Sequence, residues 1–197
     1  MARMTVDEAT RAFEAVCALS VREQARCVAE AARCVADLWT ARCERLRLLD
    51  PAPDLLERFR AWLDGNCTDN DLAAAGARLQ SLLPEDLRTD SDPSGALAGW
   101  ALRDICAIAL GQGEEVQDDI VATAILYAAG ARCGRGAEAT ELRLDRLSAE
   151  ELQFLEGWWR DCRSRVSLLS STQDEAAEQA DAADKGRAGD GIRGLCS

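Results

Sequence analysis

The sequence predicts an all-α protein, a single bundle of about seven helices around a central apolar helical hairpin. Three observations carry that prediction. Alanine is abundant and proline scarce, 36 Ala against four Pro in 197 residues, and Ala loses least on entering a helix while Pro loses most. Apolar residues recur at alternating spacings of three and four, which lines them along one helical face. No run of β-branched residues alternates with polar ones, so no strand is expected.

The elements follow in order. Thr5-Val6-Asp7-Glu8 is a capping box, in which hydroxyl and carboxylate each take the other's backbone N–H. It opens a first helix running to about Leu19, and Ser20-Val21-Arg22-Glu23 is a second box. From there Val21, Ala25, Val28, Ala32, Val35, Trp39, Cys43, Leu46 and Leu49 keep helical spacing and predict one long second helix. Pro51 and Pro53 end it, and Pro53 suits the first position of a third helix bearing Leu56, Phe59, Trp62 and Leu63. Gly65 closes that helix, and a polar turn from Asn66 to Asn70 leads into a shorter one, about Asp71 to Leu83. After Pro84 comes the irregular run Asp90-Ser91-Asp92-Pro93-Ser94-Gly95, whose Asp-Pro pair caps and starts a fifth helix to about Leu110.

The fifth and sixth helices stand apart. Arg103 and Asp104 are the only charges between Ala96 and Leu110, and none occurs between Ile120 and Ala131. A helix apolar nearly all round is buried on most faces. Gly111-Gln112-Gly113 joins the two as an antiparallel hairpin, the expected centre of the fold, and Gly134 and Gly136 mark its exit. Ser148-Ala149-Glu150-Glu151 caps a last helix with Leu152, Leu155, Trp159, Cys162, Val166 and Leu169 in line. The expected organisation is a bundle domain over 1–170 and a disordered acidic tail over 171–197, which is rich in Ala, Asp, Glu, Gln and Gly.

Composition narrows the chemistry mainly by exclusion. There is no His, so Ser-His and Cys-His nucleophile pairs, imidazole bases and His-ligated metals are ruled out. The Glu-x-x-His pairs of di-iron bundles are ruled out with them. The net charge is −12, which disfavours nucleic acid and anionic membrane surfaces and permits a cationic partner. The nine Cys form no CxxC and lie mostly among Ala, Val and Leu, where a thiol behaves as a small apolar group. The start of the chain lacks the apolar stretch of a secretory signal, and the longest apolar run, Ile120 to Ala131, is too short to span a bilayer. A reduced, cytoplasmic protein is expected.

Several residues invite a functional reading. Asp86, Asp90 and Asp92 fall in the irregular connection, and Glu114, Glu115, Asp118 and Asp119 precede or open the sixth helix. Brought together, these acids make a patch that steers a basic protein; kept apart, they are solvated surface. Glu115, Asp118 and Asp119 could hold a divalent cation, although acids at the start of a helix also simply favour its dipole. Arg103 and Asp104, about 100° apart on their helix, either find separate partners at the rim of the core or line a cleft. Of Trp158 and Trp159 only one can point inward; Trp159 fits the apolar stripe, which leaves Trp158 exposed as an interface residue. Gly111-Gln112-Gly113 lacks the preceding strand and the Lys of a phosphate loop.

Four segments, Phe13-Glu-Ala-Val-Cys17, Trp62-Leu-Asp64, Leu83-Pro-Glu-Asp86 with Asp92-Pro-Ser-Gly95, and Ala101-Leu-Arg-Asp-Ile-Cys106, resemble the YjaG-like family. These are small all-helical bacterial proteins of unestablished activity, and the resemblance implies the same fold. In class and composition the chain is also similar to helical immunity partners of bacterial toxins. The expected function is a non-enzymatic, cofactor-free acidic binding protein, such as an immunity-type inhibitor that covers a basic toxin surface. The alternatives are an adaptor that binds through an apolar surface and a carboxylate-dependent metalloenzyme.

Overall fold

In the computed structural model the described residues are 4–86, 90–111, 117–135 and 144–163. They form α-helices α1 (Val6–Cys17), α2 (Val21–Arg33), α3 (Ala36–Leu46), α4 (Ala52–Leu63), α5 (Asp69–Gln80), α6 (Pro93–Ala109) and α7 (Gln117–Arg132). A 3-10 turn at Leu144–Arg146 and α8 (149–163) complete them, with no strand among the described residues. The fold is all-α, as the sequence predicts. The chain divides into two units, Met1–Arg160 and Asp161–Ser197. Of the described residues only 161–163 fall in the second, and the expected tail over 171–197 lies outside the described residues.

The hairpin of α6 and α7 is the centre. The two helices pack on each other more extensively than any other pair, and α2 lies against both. Trp100, midway along α6, meets Tyr127, past the middle of α7, at 6.4 Å between ring centroids. Leu97, Leu102, Ile105 and Ile108 of α6 and Val121, Ile125 and Leu126 of α7 are all buried. Each of these large side chains contributes roughly 1.5–3 kcal/mol by leaving water.

Local hydrogen bonding places most helix starts. Thr5 donates its N–H to Glu8 Oε2 at 2.7 Å, and Glu8 returns its own to Thr5 Oγ1 at 3.2 Å. Asp92 Oδ1 accepts from Gly95 N at 3.2 Å at the start of α6. A further box, Thr68 with Asp71, starts α5 two residues before the expected position: Asp71 N–H donates to Thr68 Oγ1 at 3.2 Å and Thr68 N–H to Asp71 Oδ2 at 3.3 Å.

The single long second helix is not observed. The chain breaks after Arg33, where Cys34 N–H donates to Ala31 O at 3.2 Å, Val35 N–H donates to Ala32 O at 3.1 Å, and Val35 leaves helical geometry at φ −126°, ψ 4°. Neither Gly nor Pro marks this site. The physical reason is tertiary: α2 packs on both members of the hairpin, whereas α3 packs chiefly on α6. A straight helix would not follow both paths. The break leaves Val35 and Trp39 fully buried, with the Trp39 ring seated against Gly99, where a Cβ would come within 2.5 Å of it. Leu46 and Leu49, the last members of the expected stripe, are instead 45% and 90% exposed.

The phase of α8 also differs from expectation. The inward residues are Glu151, Leu155 and Trp158, and Trp159 is half-buried. Glu151 decides this. Its Oε2 accepts from Ser148 N at 2.7 Å and from Arg135 Nη2 at 3.1 Å, and Oε1 lies 2.8 Å from Arg135 Nε, so a carboxylate with no exposure has its countercharge. With Glu151 anchored inward, Trp158 follows at seven residues. Its Nε1 donates to Cys27 O at 2.9 Å, and its ring stacks on Phe13 at 5.8 Å. Trp158 is therefore a core residue and not the exposed interface tryptophan.

Candidate functional site

Among the described acids, Asp90 and Asp92 are engaged within the fold. Asp90 is held in a bidentate pair with the buried Arg42 of α3, Oδ1 to Nη1 at 2.6 Å and Oδ2 to Nη2 at 2.7 Å. Asp92 Oδ2 pairs with Arg45 Nη2 at 3.0 Å, while its backbone carbonyl accepts from Arg42 at 3.2 Å. Arg42 holds the Asp90 carboxyl below the usual range, and Asp90 in turn raises Arg42. Both acids are thus spent inside the molecule, tying the segment before α6 to α3, and are not available to a basic partner as expected. Asp86 is exposed. Asp118 and Asp119 lie at the start of α7, with their side chains outside the described set, as are Glu114 and Glu115. The cation reading of Glu115, Asp118 and Asp119 falls there too. No group of three or more acids and thiols among the described residues is placed to hold a metal ion.

What the structure does bring together lies on α6 and α7. Asp104 is 2% exposed, and Arg103, its neighbour in sequence, folds back to meet it, Nη2 against Oδ1. The expectation that these two diverge is corrected: the apolar surroundings leave the carboxylate no water, and its neighbour's long side chain supplies the charge. Burial pushes the Asp104 carboxyl up to about 6, an effect that the charge and hydrogen bond of Arg103 partly offset. The Arg103 guanidinium lies over the Trp100 ring at 4.4 Å, and Nη1 donates to Gln80 Oε1 at 3.3 Å. Tyr127 completes the group beside Trp100. Its hydroxyl is shifted up, first by burial and then by the Asp104 charge.

Trp100, Arg103 and Tyr127 are each half-buried, so the group reaches the surface over a buried charge. Two of its polar atoms, Trp100 Nε1 and Arg103 Nε, are buried with no hydrogen-bond acceptor. Such donors are costly inside a protein, and Trp39 Nε1 and Arg42 Nε share the condition elsewhere in the fold. Arg103 and Asp104 were visible in the sequence as the interruption of an apolar helix. Tyr127 was not, because an aromatic on an uncharged helix carries no signal of its own there.

A second, shallower feature is a groove of about 620 Å³ lined by Arg132, Cys133, Glu150, Gln153 and Phe154. Burial, then the charges of Glu151 and Glu150, push the Cys133 thiol up. The same cause drives Cys43 to about 11 and Cys106 to about 12. A thiol held protonated is a poor nucleophile, so these three fit packing better than catalysis. No described helix is long and apolar enough to cross a membrane. No family model, curated protein or solved structure matches the chain.

Proposed function

We propose that the chain is a non-enzymatic binding protein for a basic protein, as an immunity-type inhibitor covering a toxin surface is, and that its partner docks on the α6–α7 face around Trp100. The observation that supports this reading is the grouping of Trp100, Arg103 and Tyr127, all half-buried and reaching the surface together. Trp, Tyr and Arg are the side chains that carry most binding energy at protein interfaces. A net charge of −12 favours encounter with a cationic protein and raises its on-rate. With Asp90 and Asp92 engaged internally and Trp158 in the core, this face replaces the acidic connection and Trp158 as the proposed contact.

The experiment is affinity capture at low salt from a lysate of the source cells, with wild-type protein and Trp100→Ala run in parallel. The expected result is a basic protein retained by the wild type, lost from Trp100→Ala and released between about 0.1 and 1 M salt as the screening length shrinks from ~10 to ~3 Å. Should Trp100→Ala lose its helical circular dichroism, Tyr127→Ala carries the comparison. Retention indifferent to both variants overturns the proposal, as does the capture of nothing. A Trp100-dependent partner that survives 1 M salt favours the adaptor alternative, with an apolar contact.

A further inference from the structure

Arg103 reaches Asp104 by an indirect route. Neighbours on a helix point about 100° apart, so the guanidinium turns back along its own helix to touch the next residue's carboxylate. The result is incompletely bonded. Nη2 meets Asp104 and Nη1 meets Gln80 at 3.3 Å, while the buried Nε finds no acceptor. Around the guanidinium stand the Trp100 ring at 4.4 Å and, 6.4 Å from that ring, Tyr127. Set aside Arg103, and a carboxylate 2% exposed remains beside two aromatic rings. Aromatic faces with an adjacent carboxylate are the chemistry that holds guanidinium and alkylammonium groups. Arg103 is also the one basic residue between Ala96 and Ala131.

We propose that Trp100, Tyr127 and Asp104 form a receptor for an arginine side chain, kept filled by Arg103 of the same chain until an arginine of the basic partner takes its place. The partner's chemistry follows from charge: an acidic chain presents a buried carboxylate, and a cation arriving from outside, unlike a neighbour on the same helix, is free to approach it in line and bond bidentately. Arg103 works meanwhile as a tethered competitor. Its high local concentration weakens free cations at the site, as any intramolecular ligand does. The inference rests on the proposed docking face only for the identity of the partner; the site itself is testable without one.

The test uses the full chain and N-acetyl-arginine amide as the probe, followed through the Trp100 indole resonance by NMR. Arg103→Ala is expected to bind the probe at least tenfold more tightly than the wild type, and Asp104→Asn added to it is expected to reverse that gain. Equal binding by wild type and Arg103→Ala overturns the proposal, as does a gain that persists without the Asp104 charge. If Arg103→Ala loses its helical circular dichroism, Arg103→Gln, which retains a hydrogen-bonding group, carries the same comparison. Unfolding of both shows Arg103 to be a structural group and overturns the receptor. Failure here leaves a Trp100-dependent capture standing, whereas capture indifferent to Trp100 with tight probe binding removes the docking face and keeps the receptor.

Discussion

Removing the charge of Asp104 tests the central electrostatic feature of the fold. The folded carboxyl titrates at about 6 against an ordinary value of 3.8, because burial outweighs the help from Arg103. A carboxyl raised in the folded state binds its proton more tightly there than in the unfolded chain. Stability is therefore greatest below the unfolded value and falls as pH rises through the folded one. The whole shift corresponds to about 3 kcal/mol, an order-of-magnitude ceiling. Between pH 5 and pH 7.5 about 1.4 kcal/mol of it is lost. Asp104→Asn keeps the shape and removes the titration, so other pH-dependent groups cancel between the two proteins. Urea unfolding of wild type and variant at both pH values reads the difference directly. The expected result is that the wild type weakens relative to Asp104→Asn by about 1–2 kcal/mol on going from pH 5 to pH 7.5. A change below about 0.5 kcal/mol, or one of opposite sign, refutes the argument that burial dominates at Asp104.

Other substitutions bear on separate parts of the structure. Arg42→Ala leaves Asp90 buried without its cation, and a loss of roughly 3–5 kcal/mol in urea unfolding is expected; a loss under about 1 kcal/mol contradicts the buried pair. Gly99→Ala places a Cβ against the Trp39 ring, and this overlap should outweigh the about 1 kcal/mol of helix propensity gained, so the melting temperature falls. Leu49→Ser, at a side chain 90% exposed, should change stability by no more than about 0.5 kcal/mol despite its place in an apolar repeat. In thiol labelling of the native protein at neutral pH, the exposed Cys34 should react well before the buried Cys106, whose thiol sits at about 12; equal rates would contradict that burial.

Two kinds of information specify this structure, and they differ in range. The capping boxes at Thr5 and Ser148, the Asp92-Pro93 start of α6 and the apolar pair α6 and α7 were legible in the sequence, because each depends on residues within a turn or on the composition of one helix. The box at Thr68 is equally local, but Asp71 stands where Glu or Gln marks a capping box, so the stretch reads as a polar turn. Arg103 and Asp104 stood out for the same local reason, two charges in an otherwise uncharged segment.

What required the tertiary structure turns on partners distant in sequence or on a choice among equivalent phases. The break after Arg33 has no local mark and arises because α2 and α3 follow different neighbours. The acids Asp90 and Asp92 looked like free surface because their cations, Arg42 and Arg45, lie more than forty residues away. The one-residue difference between Trp158 and Trp159 was decided by Glu151, a carboxylate drawn inward by Arg135 against the rule that apolar residues define the inner face. Sequence alone thus determined which segments are helical and which two form the centre, since helix formation and apolar content are local properties. The tertiary structure decided which charges are spent inside and which aromatic groups meet at the surface, because pairing and burial depend on what the fold places opposite each side chain.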